Sequence, residues 1–449
     1  MGNRTRYRGV ILSQQGLKRL NQAKAAVEIE HGFERFTLEA LSEKTGLTPT
    51  TLSKVFNGIV KVDKRTLKCC FDAFNLTLDQ SDYSDLRSGR AHLTSFNIKP
   101  SNDVACAEVS IPIPGGHLPL NSEFYIHHSI IESLCYEKMR QIGTTINIQA
   151  PQEMGKTSLI KRILAYCKTQ EFNTVSLNLQ LLDRDIFQDL GLFSQWVCAM
   201  ISKQLGLPNQ VSTFWDVSLG SKANTTHYLE DIILAHCDRP LVIAIDELNQ
   251  LVDYPTLMHE FLLLLRTWSE QSKSGENPWH KLRVVIARST EILPSSSLAP
   301  SLLNMGLLIN LPEFDLAQIQ DLASRYGQAL TPSQVQQMIT LLGRHPYRLQ
   351  LAFYSLQQQT ITIEDLLKNT KFITTLYAEH LRQQQWNLKR HHKLLPIFTK
   401  IINTCNPVEV DLLTGRQLQA MGLVHQEGKW AQLSCELFRL FFADFESLT

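Results

Sequence analysis

The chain has 449 residues, 43% hydrophobic and 19% charged, with 44 Lys+Arg against 43 Asp+Glu and a formal net charge of +1. That apolar content excludes full-length disorder, and the near balance of charge excludes coating of nucleic acid by bulk charge while leaving room for a local basic module. Apolar runs such as Leu241–Ile245 and Phe261–Leu265 are too short to span a bilayer, and nine scattered cysteines with no CxxC pair read as reduced thiols in a cytoplasmic protein, with no membrane partner and no cysteine-based metal framework.

The basic residues are unevenly placed. The first 68 residues hold thirteen Lys/Arg against six Asp/Glu. Within them, FTLEALSEKTGLTPTTLSKVFNG reads as two short helices. Thr37 is the expected N-cap of the first and Gly46 the turn; Thr48 caps the second, with Pro49 at its first position, where a missing N–H costs nothing. Leu41, Leu47, Leu52, Val55 and Phe56 recur at helical spacing as the inner face. The outer face carries Thr50, Thr51, Ser53, Lys54 and Asn57. This is the layout of a helix-turn-helix, whose second helix enters the major groove. Arg35, Lys54, Lys61, Lys64, Arg65 and Lys68 are then expected at phosphates, and Thr50, Thr51, Ser53 and Asn57 at base edges. The same fold can serve instead as a protein-binding adaptor. Asp63 is the expected cap of a further helix burying Leu67, Cys70, Phe71 and Phe74. The expected divisions are a helix-turn-helix domain at 1–83 and a linker at 84–115, polar from Arg87 to Pro100; the Pro/Gly-rich segment IPIPGGHLPLNSEFYI is expected to wrap a domain edge.

From Thr144 the pattern alternates between short β-rich runs (TTINIQA, NTVSLNLQ, PLVIAIDEL, KLRVVIARST) and helical stretches. That alternation predicts a multi-domain α/β chain with a central parallel sheet covered on both faces over 116–312. Residues from Asp315 onward read as a helical lid over 313–384. A helix–hairpin–helix ending, GLVHQ turning at Glu427-Gly428 into KWAQLS, outlines a winged helix over 385–449.

The first strand runs into APQEMGKTS, residues 150–158. A phosphate-binding loop needs backbone N–H groups converging at a helix N-terminus. Ala150, Pro151, Gln152, Glu153 and Met154 form the expected loop, Gly155 allows close backbone approach, and Lys156 reaches the β/γ-phosphates. The hydroxyl of Thr157 is placed to bind Mg²⁺, and Ser158 continues the helix. Ala150 stands where the generic GxxxxGK[ST] pattern begins with Gly. About ninety residues later, LVIAIDE places Asp246 and Glu247 at a strand end. Asp246 is the expected holder of the metal's water shell and Glu247 the polariser of an attacking water. Thr290, closing RVVIARST, is a candidate sensor of the γ-phosphate; Arg344 and Arg348 in GRHPYRL are candidate lid contacts. The expected ligands are ATP or ADP with Mg²⁺ held by Thr157 and Asp246.

Taken as a set, LPLNSEFYI, APQEMGKTSLI, WDVSLGSKANTTHYLEDIIL, AIDELNQLVDYP, LPEFDLAQIQDLA, GRHPYRLQLAFYSL, LYAEHLR and MGLVHQEGKWAQLSCELFRLFF resemble the bacterial, cyanobacterial-type AAA-like domain ATPases, relatives of STAND and AAA+ proteins. The resemblance runs from about Pro112 to Phe445, and residues 7–83 resemble the helix-turn-helix modules fused to such regulators. It implies roles for Lys156, Thr157, Asp246, Glu247 and Thr290, and sets His345 and Pro346 where STAND-type lids meet the nucleotide. The chain departs from the family pattern at Gln152-Glu153, where Arg-Gln is usual, at Arg344 in place of Gly, and at His128 in place of Arg. The implied function is an ATP-binding regulatory switch with slow or conditional hydrolysis, DNA binding through the N-terminal module, self-assembly and an effector protein. The alternative is an initiator- or transposition-type ATPase that assembles on DNA.

Overall fold

In the computed structural model the chain divides into two compact units, Met1–Glu108 and Val109–Thr449. The structure describes residues 113–290 and 305–443 throughout, together with parts of 10–84.

In the N-terminal unit, β1 (Ile11–Leu12) pairs antiparallel with β2 (Tyr83–Ser84). Val10 forms a bridge with Val62. A helix spans Leu38–Thr45 and another Lys64–Asp72. The second is capped as its sequence dictates: Asp63 accepts from Arg65 N at 3.0 Å. Its apolar stripe, Leu67, Cys70, Phe71 and Phe74, is buried with Leu41, Leu52 and Val55. Gly46 adopts φ 68° after the first helix, a left-handed turn that glycine enters without strain. Thr51 N donates to Thr48 O at 2.9 Å. Of the residues expected to face DNA, Thr51, Lys64, Arg65 and Lys68 fall within the described set; Arg35, Thr50, Ser53, Lys54, Asn57 and Lys61 lie outside it, as do the expected cap Thr37 and the core candidate Phe56.

The second unit is built on a five-stranded sheet of β3 (Thr145–Ala150), β4 (Asn173–Asn178), β5 (Leu241–Asp246), β6 (Leu282–Ser289) and β7 (Leu307–Asn310), in the order β4-β5-β6-β3-β7. Every pairing is parallel. The strands β3, β5 and β6 are buried on both faces, as the helices that connect parallel strands require. One face packs Ile146, Ile148, Val242, Ala244, Val285 and Ala287 against the helices Ser129–Met139 and Lys156–Thr169. The other packs Ile243, Ile245, Val284 and Ile286 against Leu190–Leu205 and Pro255–Ser274. The four-residue edge strand β7 has no counterpart in the sequence reading; its mixed LLIN pattern is too short to separate from loop.

The order has a consequence for chemistry. Ala150 ends β3, Asp246 ends β5, and β6 lies between them, with Ser289 in register with Ala150. The carboxyl ends of three parallel strands therefore open on one side, where such sheets bind ligands.

Beyond the sheet, helices from Leu316 to Phe442 share one apolar core that also takes in Phe124 and Ile126. That core runs without a break across the lid boundary expected at 384/385. Within it, β8 (Val408–Glu409), β9 (Val424–Glu427) and β10 (Trp430–Leu433) form an antiparallel sheet in the order β8-β10-β9. Gly428 turns the β9–β10 hairpin with φ 58°. Among the described residues no helix is long and apolar enough to cross a membrane.

Candidate nucleotide-binding site

The loop after β3 gets its shape from two left-handed residues. Gly155 sits at φ 96°, a conformation that costs a side-chain-bearing residue, and its position meets nothing within 4 Å; backbone geometry rather than crowding selects glycine. Glu153 sits at φ 59° although it carries a side chain. Lys156 then opens the helix Lys156–Thr169, whose first intrahelical acceptor is Gly155 O, taken by Leu159 N at 3.0 Å. The N–H groups of Lys156, Thr157 and Ser158 precede that bond, so a helix N-terminus with its partial positive charge faces the opening. Lys156 Nζ folds back over the loop and donates to Ala150 O (3.1 Å) and Pro151 O (2.7 Å).

Opposite the loop stands the acid pair. Asp246 is 5% exposed, and its Oδ1 accepts from Glu247 N at 3.0 Å. Glu247 is left-handed at φ 60°, which turns the chain sharply after the strand, and Asn249 Nδ2 holds its Oε2 at 2.9 Å. Strain at a non-glycine position that the surroundings over-determine is a feature of functional sites.

Loop and acids line one cavity of about 580 Å³. Gln152, Glu153, Met154, Gly155, Lys156, Thr157 and Ser158 line it from the loop, and Asp246 and Glu247 from β5. Pro346, Tyr347, Gln383 and Arg390 line it from the helices that follow the sheet, which share one core and are called the lid below. Ala150 and Pro151, expected in the site, do not line the cavity; their carbonyls accept from Lys156 Nζ instead. His345 is not part of the lining; its imidazole reaches the outer side of the loop, with Nε2 3.1 Å from Gln152 O. A carbonyl only accepts, so that nitrogen carries the proton. Burial, with Arg348, His380 and Lys156 nearby, pushes the His345 pKa well below its ordinary value.

Thr290 is placed otherwise than a γ-phosphate sensor needs. Its hydroxyl donates to Ala420 O at 2.7 Å and its N–H to Ala150 O at 3.1 Å. The polar group that β6 presents to the cavity is Ser289, whose buried hydroxyl has no hydrogen-bond partner. The strand alternation Val285, Ala287, Ser289 carries that signal in the sequence. Arg344 is exposed, and Arg348 is buried in the lid, where Nη1 donates to Cys435 Sγ at 2.8 Å. The arginine that lines the cavity is Arg390, which pairs with Asp253 and lies 4.6 Å over the Trp386 ring.

The Pro/Gly-rich segment before the sheet forms the other wall. Gly115, Gly116, His117, Leu118, Tyr125, Ile126 and His128 line the cavity with Leu311 and Phe314. Glu132 ties this wall down: it is buried, and it accepts from Tyr125 OH (3.0 Å) and His128 N (3.0 Å) and sits 2.9 Å from His127 Nδ1. Although burial opposes the charge, these hydrogen bonds, led by that from His127, bring the Glu132 pKa below its ordinary value. The Arg162 guanidinium lies 3.2 Å over the Tyr125 ring and completes the wall. Burial lowers the pKa of His128, whose ring lies 5.9 Å from that of Phe314. The side chains lining this end are aromatic, aliphatic and imidazole groups, whereas Lys156 and the carboxylates of Asp246 and Glu247 line the loop end.

The chain matches the AAA-like domain family over residues 113–444. It belongs to that family. No curated protein matches the chain. Among solved structures, the AAA-like chain is similar to the Walker-type ATPase PABY2304 of Pyrococcus abyssi, at 12% identity and TM-score 0.48, over 70% of this chain and 95% of that one. It is also similar to the ORC2 protein of Aeropyrum pernix, solved with ADPNP and ADP, at 12% identity and TM-score 0.44, over 76% of this chain and 97% of that one. Domain III of the replication initiation protein DnaA of Thermotoga maritima matches at 15% identity and TM-score 0.34, over 56% of this chain and 98% of that one.

The donor set of the AAA-like site suits a small hard cation. One hydroxyl (Thr157) and one carboxylate (Asp246) line a cavity wide enough for the waters Mg²⁺ keeps, which is its habit when it is bound through phosphates rather than by a protein cage.

Proposed function

We propose that this AAA-like protein is an ATP-dependent switch in which the nucleotide is held between the sheet and the lid. The observation that carries the reading is the convergence of three separately encoded elements on one cavity: the loop Gln152–Ser158, the acids Asp246 and Glu247, and the lid residues Pro346, Tyr347 and Arg390. In this reading the N–H groups of Gly155, Lys156 and Thr157 and the Lys156 ammonium bind polyphosphate, and the base lies against Tyr125, Ile126, His128 and Phe314. Thr157 and Asp246 would hold Mg²⁺, which when bound neutralises phosphate charge. Glu247, steered by Asn249, accepts the proton of a water aimed at the terminal phosphate. Ser289 takes the polar contact first assigned to Thr290. A ligand that touches both lid and sheet shifts their balance only by its differential affinity for the two arrangements, and ATP and ADP differ at the phosphate end where the lid meets the loop.

Nucleotide titration with and without Mg²⁺, read by both binding and phosphate release, tests the reading. Micromolar binding with slow release is the expected result, and no binding of ATP or ADP at millimolar concentration overturns it. The basic skew of the first 68 residues supports a second role for the N-terminal unit, duplex DNA binding through a helix-turn-helix. A salt titration of DNA binding by the whole chain checks this: affinity should fall steeply with salt. No binding at low salt leaves the protein-adaptor role. Ring or filament formation on DNA that requires ATP would instead favour the assembling, initiator-type reading.

A further inference from the structure

The phosphate loop is gripped from outside the cavity at successive residues. Gly422, at the end of the helix Leu412–Ala420, packs close to Pro151, so that a Cβ there would meet the Pro151 ring at 3.6 Å. His345 Nε2 donates to Gln152 O at 3.1 Å. His380, from the lid helix Ala378–Arg390, brings Nδ1 to 2.7 Å from Glu153 Oε2. His380 is buried, and the two imidazoles lie 5.6 Å apart edge to face. A carboxylate only accepts, so the His380 Nδ1 carries the proton, and its buried Nε2 has no partner among the described residues. A buried polar atom left unpaired is costly, which makes the Glu153 contact the main polar return for burying this ring.

These contacts set the loop's backbone. A trans peptide points its C=O and N–H in opposite directions. The hold of His345 on Gln152 O therefore turns the Glu153 N–H away from the lid. Glu153 is left-handed at φ 59°, which costs a side-chain-bearing residue about 1–2 kcal/mol, and its side chain is anchored by His380 in that conformation. The acid that would repel a polyphosphate at the mouth is engaged by a histidine donor that does not itself line the cavity.

We infer that His380 is a positioning residue: through Glu153, and alongside His345, it latches the phosphate loop to the lid, so that the loop is shaped for phosphate only while the lid is docked. The consequence for ligand rests on the nucleotide reading; the latch itself is a contact within this chain and stands or falls without it. Lid release frees Glu153 to turn its charge toward the cavity and relaxes the left-handed residue, so phosphate affinity and lid position become one equilibrium.

Four full-length variants test this: Glu153→Ala, His380→Ala, the double variant, and His380→Asn, whose amide donates from near the place of Nδ1. The first readout is hydrogen exchange of amides 152–157 in nucleotide-free protein, which needs no ligand. Exchange should rise by about tenfold in each single alanine variant, no further in the double, and return toward wild type in His380→Asn, as expected for loss of one charge-assisted hydrogen bond. The second readout is titration with ATP and ADP, where affinity should fall by about tenfold in the same pattern. Unchanged exchange in Glu153→Ala, or single effects that multiply in the double variant, overturns the latch. Glu153 is not a core residue, so its variant keeps the test sharp if His380→Ala fails to fold. Accelerated exchange in a protein whose wild type binds neither nucleotide leaves the latch in place and overturns the functional reading instead.

Discussion

The two sides of the cavity are built in different ways. On the sheet side the cavity-lining Asp246 and Ser289 stand at strand ends; β5 is apolar up to Asp246, while β3 and β6 also carry internal polar residues such as Asn147 and Arg283. On the lid side the core itself buries ionisable groups: His345, Arg348, His380 and Cys435 lie among Leu349, Phe438 and their neighbours. Arg348 is 1% exposed, with its guanidinium 5.1 Å over the Phe438 ring and Glu313 4.0 Å away. Topology alone places the sheet-side chemistry, because parallel strands end together. The lid has no such rule, and it reaches the loop through buried donors whose desolvation must be offset by the contacts they make. The difference teaches that the residues lining the cavity and the buried histidines that hold the loop are separate sets in this molecule.

Glu247→Gln gives the largest expected effect and probes the sheet side alone. Nucleotide affinity should hold while phosphate release falls by about 10²-fold or more, the usual weight of a positioned base. Single-turnover release measured beside equilibrium binding separates the two; parallel losses would mean that Glu247 binds rather than activates. Lys156→Ala should weaken nucleotide affinity by roughly ten- to hundredfold, the loss of a charge-assisted contact, with little change in thermal midpoint. Arg348→Ala inverts that pattern. It removes a buried side chain and its ring and thiol contacts, so it should lower stability by about 2–4 kcal/mol in denaturant unfolding before any effect on phosphate chemistry. If Arg348→Ala instead spared stability and abolished binding, the division between the two sides would fail.

The smallest expected effect concerns pH. Burial lowers the pKa of both His345 and His380, and the proximity of Arg348 adds to it, while Gln152 O and Glu153 act in the opposite direction. A histidine whose folded pKa is depressed takes up its proton more readily when unfolded. Its stabilising contribution is complete above its unfolded pKa of about 6.5 and is lost as pH falls below that. The thermal midpoint should therefore decline between about pH 7 and pH 5.5, and His345→Gln should flatten the decline. An equal slope in wild type and variant would place the titration elsewhere, for instance at His128 or His391, which are also lowered by burial.

The loop APQEMGKTS and the acids of LVIAIDE could be read from the chain because each is a local pattern: an apolar strand of a few residues, then the residue types its end must carry. The helix Lys64–Asp72 with its Asp63 cap and the hairpin around Gly428 were legible for the same reason. Thr290 and Ser289 show the limit. Adjacent residues at a strand end face different ways, and which one meets the cavity depends on strand phase and on Ala420, which lies 130 positions away. Arg390 lies in no string that the sequence singles out, and although Asp253 and the wall held by Glu132 fall in or beside such strings, their meeting at the cavity exists only because distant segments come together.

The amino-acid sequence by itself determined the strand–loop–helix, the acid-tipped strand and the apolar faces that bury the sheet, since these follow from neighbours a few residues apart. Only the tertiary structure decided that β6 lies between the loop strand and the acid strand, that Ser289 rather than Thr290 meets the cavity, and that two lid histidines hold Gln152 and Glu153. The reason is range: backbone propensity and burial period act along the chain, whereas a hydrogen bond between residues 227 positions apart, as between Glu153 and His380, is chosen by packing.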